Sequence, residues 1–407
     1  HRIDAGPDHQ CDALTHRYSW ERLRNSRVLA SLCAFSGFLL VVTTRGWRGL
    51  DQIPSDPGYD YVGERVQTGL SVIEFRPYLY ADQSTLASIA SSLPLETRAM
   101  FLTFASHLIW ASCALVVYLA LRRLMLHTIT SLAGGLLLVT TPWAAQSAIG
   151  NYGNVRWPIL VAATVVVAAE ATNERPRVVP LTLATVAAAL SNPLHPLLLV
   201  PLLIGAGRLA STHRKTFAIS ALPLMFGLTA NLLNVGAGGH SEKITSFWDG
   251  AGLFWVSGQV LPSAIALTGL ALSVRTIRVW STHRLFAATL FVVVLLIAGA
   301  SYRLGGIADR YYVAPAALAA IGALVWLVDT RTRSANVAKV LTIALAVVLV
   351  VPITRWFFVF PYLRSAPSWS TQVDAAQDKC DRGETTSFEL LTSNGESVTD
   401  PIPCDDL

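Results

Sequence analysis

The chain has 407 residues, of which 53% are hydrophobic and only 14% charged, with a formal net charge of +5. Soluble domains carry roughly 25% charged residues. With a mean hydropathy of +0.48 and charges confined to short blocks between long apolar runs, this composition excludes a soluble enzyme, a disordered chain and a nucleic-acid binder built on a basic surface.

A bilayer core of about 30 Å takes about 20 apolar helical residues. Runs of that kind occupy 28–44, 99–121, 129–145, 157–172, 216–234, 259–274, 285–301, 311–328 and 340–358. The first has no small-residue cleavage site and is followed by Arg45-Gly46-Trp47-Arg48, so it is expected to be a retained span and not a removed signal. The apolar stretch 178–207 is too long for one span, and Ser191-Asn192-Pro193-Leu194-His195-Pro196 interrupts it. Two prolines three residues apart remove backbone donors and break a helix, so this stretch reads as two short helices, 178–190 and 194–207. The expected fold is an all-α membrane protein of about 11 transmembrane helices. No internal repeat suggests the duplicated halves of a secondary transporter.

Basic residues orient such a chain, because cytoplasmic loops carry them in excess. Arg17, Arg22, Arg24 and Arg27 precede the first span, and alternate loops repeat the signal at Arg122/Arg123, Arg175/Arg177, Arg208/Arg214/Lys215, Arg275/Arg278/Arg284 and Arg331/Arg333/Lys339. The loops on both sides of 178–207 are basic, so that stretch must cross an even number of times, which supports the hairpin independently of its prolines. The organisation that follows is a cytoplasmic N-terminal tail, 1–27, a transmembrane domain, 28–358, and an extracytoplasmic C-terminal tail, 359–407, in a multi-pass protein of the plasma (inner) membrane. Cys380 and Cys404 both fall in the outer tail. A cysteine pair in so short an exported segment reads as a disulfide.

Polar residues outside ordinary connectors are the informative ones in a membrane protein, and four outer places hold them. The long first outer loop, 45–98, exceeds a simple connector. It carries Asp51, Asp56, Asp60, Arg76 and Tyr78, among other charges, with Asp56-Pro57-Gly58-Tyr59-Asp60-Tyr61 forming a turn with two carboxylates. Near its end, Leu86, Ile89, Ala90 and Leu93 have helical spacing, predicting a helix over 83–94 that lies in the membrane interface. The second place is Asn151-Tyr152-Gly153-Asn154-Val155-Arg156-Trp157, the third the break with Asn192 and His195, and the fourth Tyr302 to Pro315 with Asp309, Arg310, Tyr311 and Tyr312. Seven tryptophans, Trp157 and Trp369 among them, fall near the outer boundary, where interfacial anchoring is the ordinary explanation and stacking on a sugar ring the sharper one.

Carboxylates, guanidinium groups, amides and aromatic rings gathered on one side suit glycosyl transfer from a lipid-linked phosphosugar. That reaction needs a carboxylate to take the acceptor proton, arginines for the departing phosphate and an apolar groove for the lipid. No nucleotide-binding fingerprint is present, and no nucleic-acid partner is expected. In this order, the segments Asp56 to Pro94, Asn151 to Trp157, Asn192 to Pro201 and Asp309 to Pro315 resemble the polytopic glycosyltransferases of the GT-C fold, and among them integral membrane proteins of actinobacteria. The resemblance implies a catalytic carboxylate in the first outer loop, matching Asp56 or Asp60. By residue type and place, Arg310, Arg156 and Arg76 are the candidates for donor-phosphate contacts, and Tyr78, Asn151, Asn154, Trp157, Asn192, His195 and Tyr311 for substrate contacts. The donor would be a polyprenyl-phosphate sugar and the acceptor a cell-envelope glycan or exported molecule. The Asp-x-Asp or Asp-Asp pair frequent in that family is missing here. No metal ligands are assigned, although Asp56 and Asp60 could share a divalent cation, Mg or Mn, with help from other oxygens. The competing readings are a transporter or flippase of lipid-linked intermediates, a glycan polymerase or ligase, and a non-catalytic GT-C relative acting in envelope assembly.

Overall fold

The computed structural model describes residues 8–46, 81–140, 149, 152–208, 210–234, 260–274, 281–303, 313–331, 367–391 and 402–404. They are predominantly helical. Helix α1 is Asp8–Gly46, α2 Ala81–Ser91, α3 Arg98–Arg123, α4 Thr128–Thr140, α5 Arg156–Thr172, α6 Val178–Ser191, α7 Leu199–Arg208 and α8 Ala210–Asn234. Then come α9 Val260–Val274, α10 Thr282–Arg303, α11 Val313–Arg331 and α12 Trp369–Asp381, with a two-stranded ribbon, β1 Ser387–Phe388 and β2 Ile402–Pro403. The stretches Ser26–Gly46, Leu95–Arg123 and Thr282–Ala300 are long and apolar enough to cross a membrane, and five further apolar helices are shorter. The expected span 340–358 lies outside the described residues. The first helix starts at Asp8, well before the apolar run, so much of the expected N-terminal tail is helical.

Apolar side chains on these helices face both ways. Phe38, Trp110, Leu121, Leu160 and Phe291 are buried in one continuous core, whereas Leu40, Leu183, Leu203 and Phe226 are each more than 60% exposed. A helix whose outer face is also apolar is what a lipid environment permits.

Close approach of α4 to its neighbours rests on Gly134-Gly135. A Cβ on Gly135 would stand 2.5 Å from Phe38 Cζ on α1 and 2.8 Å from the Ala114 carbonyl on α3. The carbonyl belongs to a helix backbone and cannot step aside, and small residues are what allow helices to pack this tightly in lipid. Gly135→Ala is therefore expected to lower stability by about 1–3 kcal/mol, read as a drop in the thermal midpoint in detergent; an unchanged midpoint would show that the helices can part.

The stretch 178–207 folds as an out-and-back hairpin. Arg177, just before α6, binds Glu170 near the end of α5, and Arg208, ending α7, donates to the Thr172 carbonyl at the same end. The break sits at the opposite end of α5, where Asn192 Nδ2 donates to the Arg156 carbonyl at 3.2 Å. Asn192 Oδ1 accepts from Leu194 N at 2.9 Å, an Asx turn that replaces the helical bonds the prolines cannot make. Pro196 then opens a short 3-10 turn, His195–Leu198.

The bundle accordingly has two chemically distinct ends. At the basic end lie Arg123, Glu170, Arg177 and Arg208, together with His283, which contacts the Leu124 carbonyl, and the buried pair Arg284–Asp329 joining α10 to α11. At the other, polar end lie the end of α1, the start of α3, the start of α5 and the 192–195 break. The loop helix α2 and the C-terminal tail share this polar end. Helix α2 forms where the sequence predicts it, but its buried face is Ala87 and Ala90, and Ile89 is 45% exposed. It packs on α3, on the 152–154 turn and on α6. The tail is a folded unit: Trp369, Val373, Ala376, Phe388 and Leu390 pack against Ala87, Ala90, Ala99 and Leu102, and Trp369 Nε1 donates to the Leu95 carbonyl at 2.7 Å. The expected disulfide Cys380–Cys404 is present, with a Cα–Cα distance of 5.7 Å, and it joins α12 to β2. So small a unit needs such a staple, having little core of its own.

Candidate functional site at the polar end

Three buried elements converge here. The first is α1, whose last turn carries Arg45, fully buried, with its guanidinium donating to the Val139 carbonyl at the end of α4. A cation at the last turn of a helix is favourably placed against the helix dipole. The next residue, Gly46, faces His107 of α3 so closely that any Cβ would collide with the imidazole. Glycine is required there because α1 crosses α3 over that ring.

The second element is a stripe on α3. Thr103, Ser106, His107 and Trp110 are all buried, and their spacing of three, four and seven residues puts them on one helical face. Both ring nitrogens of His107, Ser106 Oγ and Trp110 Nε1 have no hydrogen-bond partner among the described residues. An unsatisfied buried polar group costs roughly 1–3 kcal/mol, so a row of them is expensive to keep unless it serves a ligand. In the sequence this stripe is hidden inside the apolar run 99–121. The signal was nevertheless present: four polar or amphipathic residues recur at helical spacing within that run.

The third element is the turn Tyr152–Asn154 leading into α5. Asn154, Arg156 and Trp157 are buried, at 1%, 9% and 1% exposure. The Arg156 guanidinium lies over the Trp157 ring at 5.4 Å from its centroid, an arrangement that holds the planar cation in place. Arg156 is the first residue of α5. A guanidinium there adds to the partial positive charge of the helix N-terminus, so the two fields together favour an anion such as a phosphate.

Of the expected site residues, the structure gathers Asn154, Arg156, Trp157, Asn192 and His195 at this end. Asn192 and His195 are both fully buried. Asn192 is occupied in building the break, and His195 Nδ1 is 2.8 Å from the Asn192 carbonyl, with Gly227 of α8 leaving room for its ring. Their hydrogen bonds serve the hairpin. Trp157 and Trp369 are buried in protein and so are not interfacial anchors. Asp56, Asp60, Arg76, Tyr78, Asn151, Arg310 and Tyr311 lie outside the described residues. Among the described residues no group of three or more His, Cys, Asp or Glu side chains is placed to hold a metal ion; Asp56 and Asp60, the residues considered for Mg or Mn, are not among them. Comparison with protein-family models, curated proteins and solved structures finds no match.

Proposed function

We propose that the protein is an integral membrane glycosyltransferase of GT-C type in the plasma (inner) membrane, with about 11 spans, its N-terminus cytoplasmic and its C-terminal tail outside. It would move a sugar from a polyprenyl-phosphate donor to a cell-envelope glycan or exported acceptor. The observation that carries this reading is Arg156: a buried guanidinium, braced on Trp157 at the N-terminus of α5 and near Asn154, at the end of the bundle where α1 stops and α2 packs. In the reaction the acceptor oxygen attacks the anomeric carbon, and a loop carboxylate, Asp56 or Asp60, takes the acceptor proton. The bond from that carbon to the phosphate oxygen breaks, and its electron pair leaves with the polyprenyl phosphate, whose negative charge Arg156 stabilises, with Arg310 and Arg76 as further cations. Attack opposite the leaving group inverts the anomeric centre. The unsatisfied stripe of His107, Ser106 and Trp110 adds neutral hydrogen-bonding groups for sugar hydroxyls.

The test uses membranes containing the full chain and a panel of radiolabelled polyprenyl-phosphate sugars. Chain-dependent release of polyprenyl phosphate, with label passing to envelope material, is the expected result. Arg156→Gln should lower donor turnover about 10- to 100-fold, the weight of one charged hydrogen-bonding contact, and Arg156→Lys should lose less. Absence of chain-dependent release from every donor overturns the reading. Labelled donor crossing sealed vesicles with its sugar intact would assign the chain to transport instead.

A further inference from the structure

A cavity of about 810 Å³ opens at the basic end, remote from the site above. It is lined by α1, the end of α3, the start of α4, the second half of α5, and Arg177 and Pro180 at the start of α6. Four arginines reach it, Arg27, Arg122, Arg123 and Arg177, against a single carboxylate, Glu170. That carboxylate is already committed. It is 2% exposed, accepts from Arg177 N, Nε and Nη2 at 2.9, 2.8 and 2.6 Å, and stands 3.6 Å from Arg123 Nε. Arg122 donates once, to the Leu126 carbonyl at 2.6 Å, and the Arg27 guanidinium makes no hydrogen bond or ion pair among the described residues. The positive charge at the mouth therefore exceeds what the described residues neutralise. Below the arginines the lining becomes aliphatic, with Ala30, Val116, Leu119, Val166 and Ala169.

We infer that this cavity is a binding site for an anionic phospholipid, its headgroup phosphate held by Arg27 and Arg122 and an acyl chain running along the aliphatic lining that α1, α3 and α5 supply. Guanidinium groups match phosphate oxygens in bidentate geometry. A basic pocket between membrane helices at the headgroup level is where an anionic lipid is favoured. The aliphatic lining selects a lipid over a soluble phosphate, because a small anion would leave that surface wet. Glu170 acts as a positioning residue: it engages Arg177 and Arg123 and leaves Arg27 and Arg122 for the ligand. The inference needs only that the apolar helices lie in a bilayer, and it stands or falls separately from sugar transfer.

The experiment titrates purified full-length protein in neutral detergent with fluorescent phosphatidylglycerol or fluorescent phosphatidylcholine, and repeats the first titration in the presence of glycerol 1-phosphate and of inorganic phosphate. The expected result is a clear preference for phosphatidylglycerol that neither soluble anion abolishes. Arg27→Gln/Arg122→Gln should weaken phosphatidylglycerol binding about 25-fold, from roughly fivefold per basic group. Lys215→Gln, which removes an exposed charge outside the cavity, should leave it unchanged. Arg27→Gln alone removes an exposed side chain and keeps the fold, so its fivefold effect remains readable if the double variant unfolds. Equal affinity for the two lipids, or undiminished binding by the variants, overturns the inference. Displacement by glycerol 1-phosphate or inorganic phosphate at low concentration would reduce the cavity to a small-anion site and overturn the assignment to lipid.

Discussion

Asp329→Asn should destabilise the protein by about 3–5 kcal/mol, because it strands a charge inside the bundle. Asp329 Oδ2 accepts from Arg284 Nε at 2.5 Å, and both side chains are under a tenth exposed. Ser281 Oγ donates to Asp329 Oδ1 at 2.6 Å and accepts from Arg284 N at 3.2 Å, so one carboxylate orders the start of α10 against the end of α11. Neutralising it leaves the guanidinium desolvated and without its counter-charge. The pair itself is not a large source of net stability, since removing two charges from water offsets most of their attraction. A double variant, Arg284→Met/Asp329→Leu, should therefore recover most of the loss. Thermal unfolding in detergent, with the three variants compared, checks both statements. A single-variant loss below about 1 kcal/mol, the range of exposed pairs, would mean that water reaches the site. The Glu170 cluster should respond less steeply to the same treatment, because Arg177 is 56% exposed and water can replace its partner.

The second large effect concerns chemistry. Asp56→Asn or Asp60→Asn, whichever residue is the base, should reduce sugar transfer about 10²–10⁴-fold, the usual contribution of a positioned general base. Asparagine keeps the shape and hydrogen-bonding oxygen of the carboxylate but cannot take the proton, so the loss should fall on kcat, with KM for the donor little changed. Arg156→Gln should show a different split, with weaker handling of the donor phosphate. Membrane fractions carrying each variant at matched expression, assayed with the donor that wild type consumes, separate the two. Full transfer by both aspartate variants would move the base elsewhere in the chain and leave the donor site at Arg156 untouched.

Much of the fold was legible in the sequence because hydrophobic runs and prolines act locally. The hairpin at 178–207 followed from two independent local signals, prolines at 193 and 196 and basic loops on either side. The disulfide followed from two cysteines close together in the short C-terminal tail. The polar turn 151–157 was legible as a place, since amides and arginine are costly near lipid wherever the chain puts them. The α3 stripe was not, because Ser106, His107 and Trp110 are unremarkable one at a time; only burial against α1 leaves their polar atoms without partners. Asn192 and His195 looked like ligand-binding groups by type, yet Asn192 bonds the Leu194 N–H within the break and the Arg156 carbonyl of α5, and His195 Nδ1 meets the Asn192 carbonyl.

By itself, then, the sequence determined that the chain is helical and apolar, roughly where many of its apolar helices lie, and which short segments carry polar chemistry. These depend on residue type within a turn or two of helix. Only the tertiary structure decided that α2 and the C-terminal tail pack together over the start of α3, that Arg156 is buried on Trp157, and that Arg27, Arg122, Arg123 and Arg177 meet around one cavity. The first and last of these join residues far apart in the chain, and the burial of Arg156 depends on helices packed around it, so their energies rest on burial and distance, which no local pattern encodes.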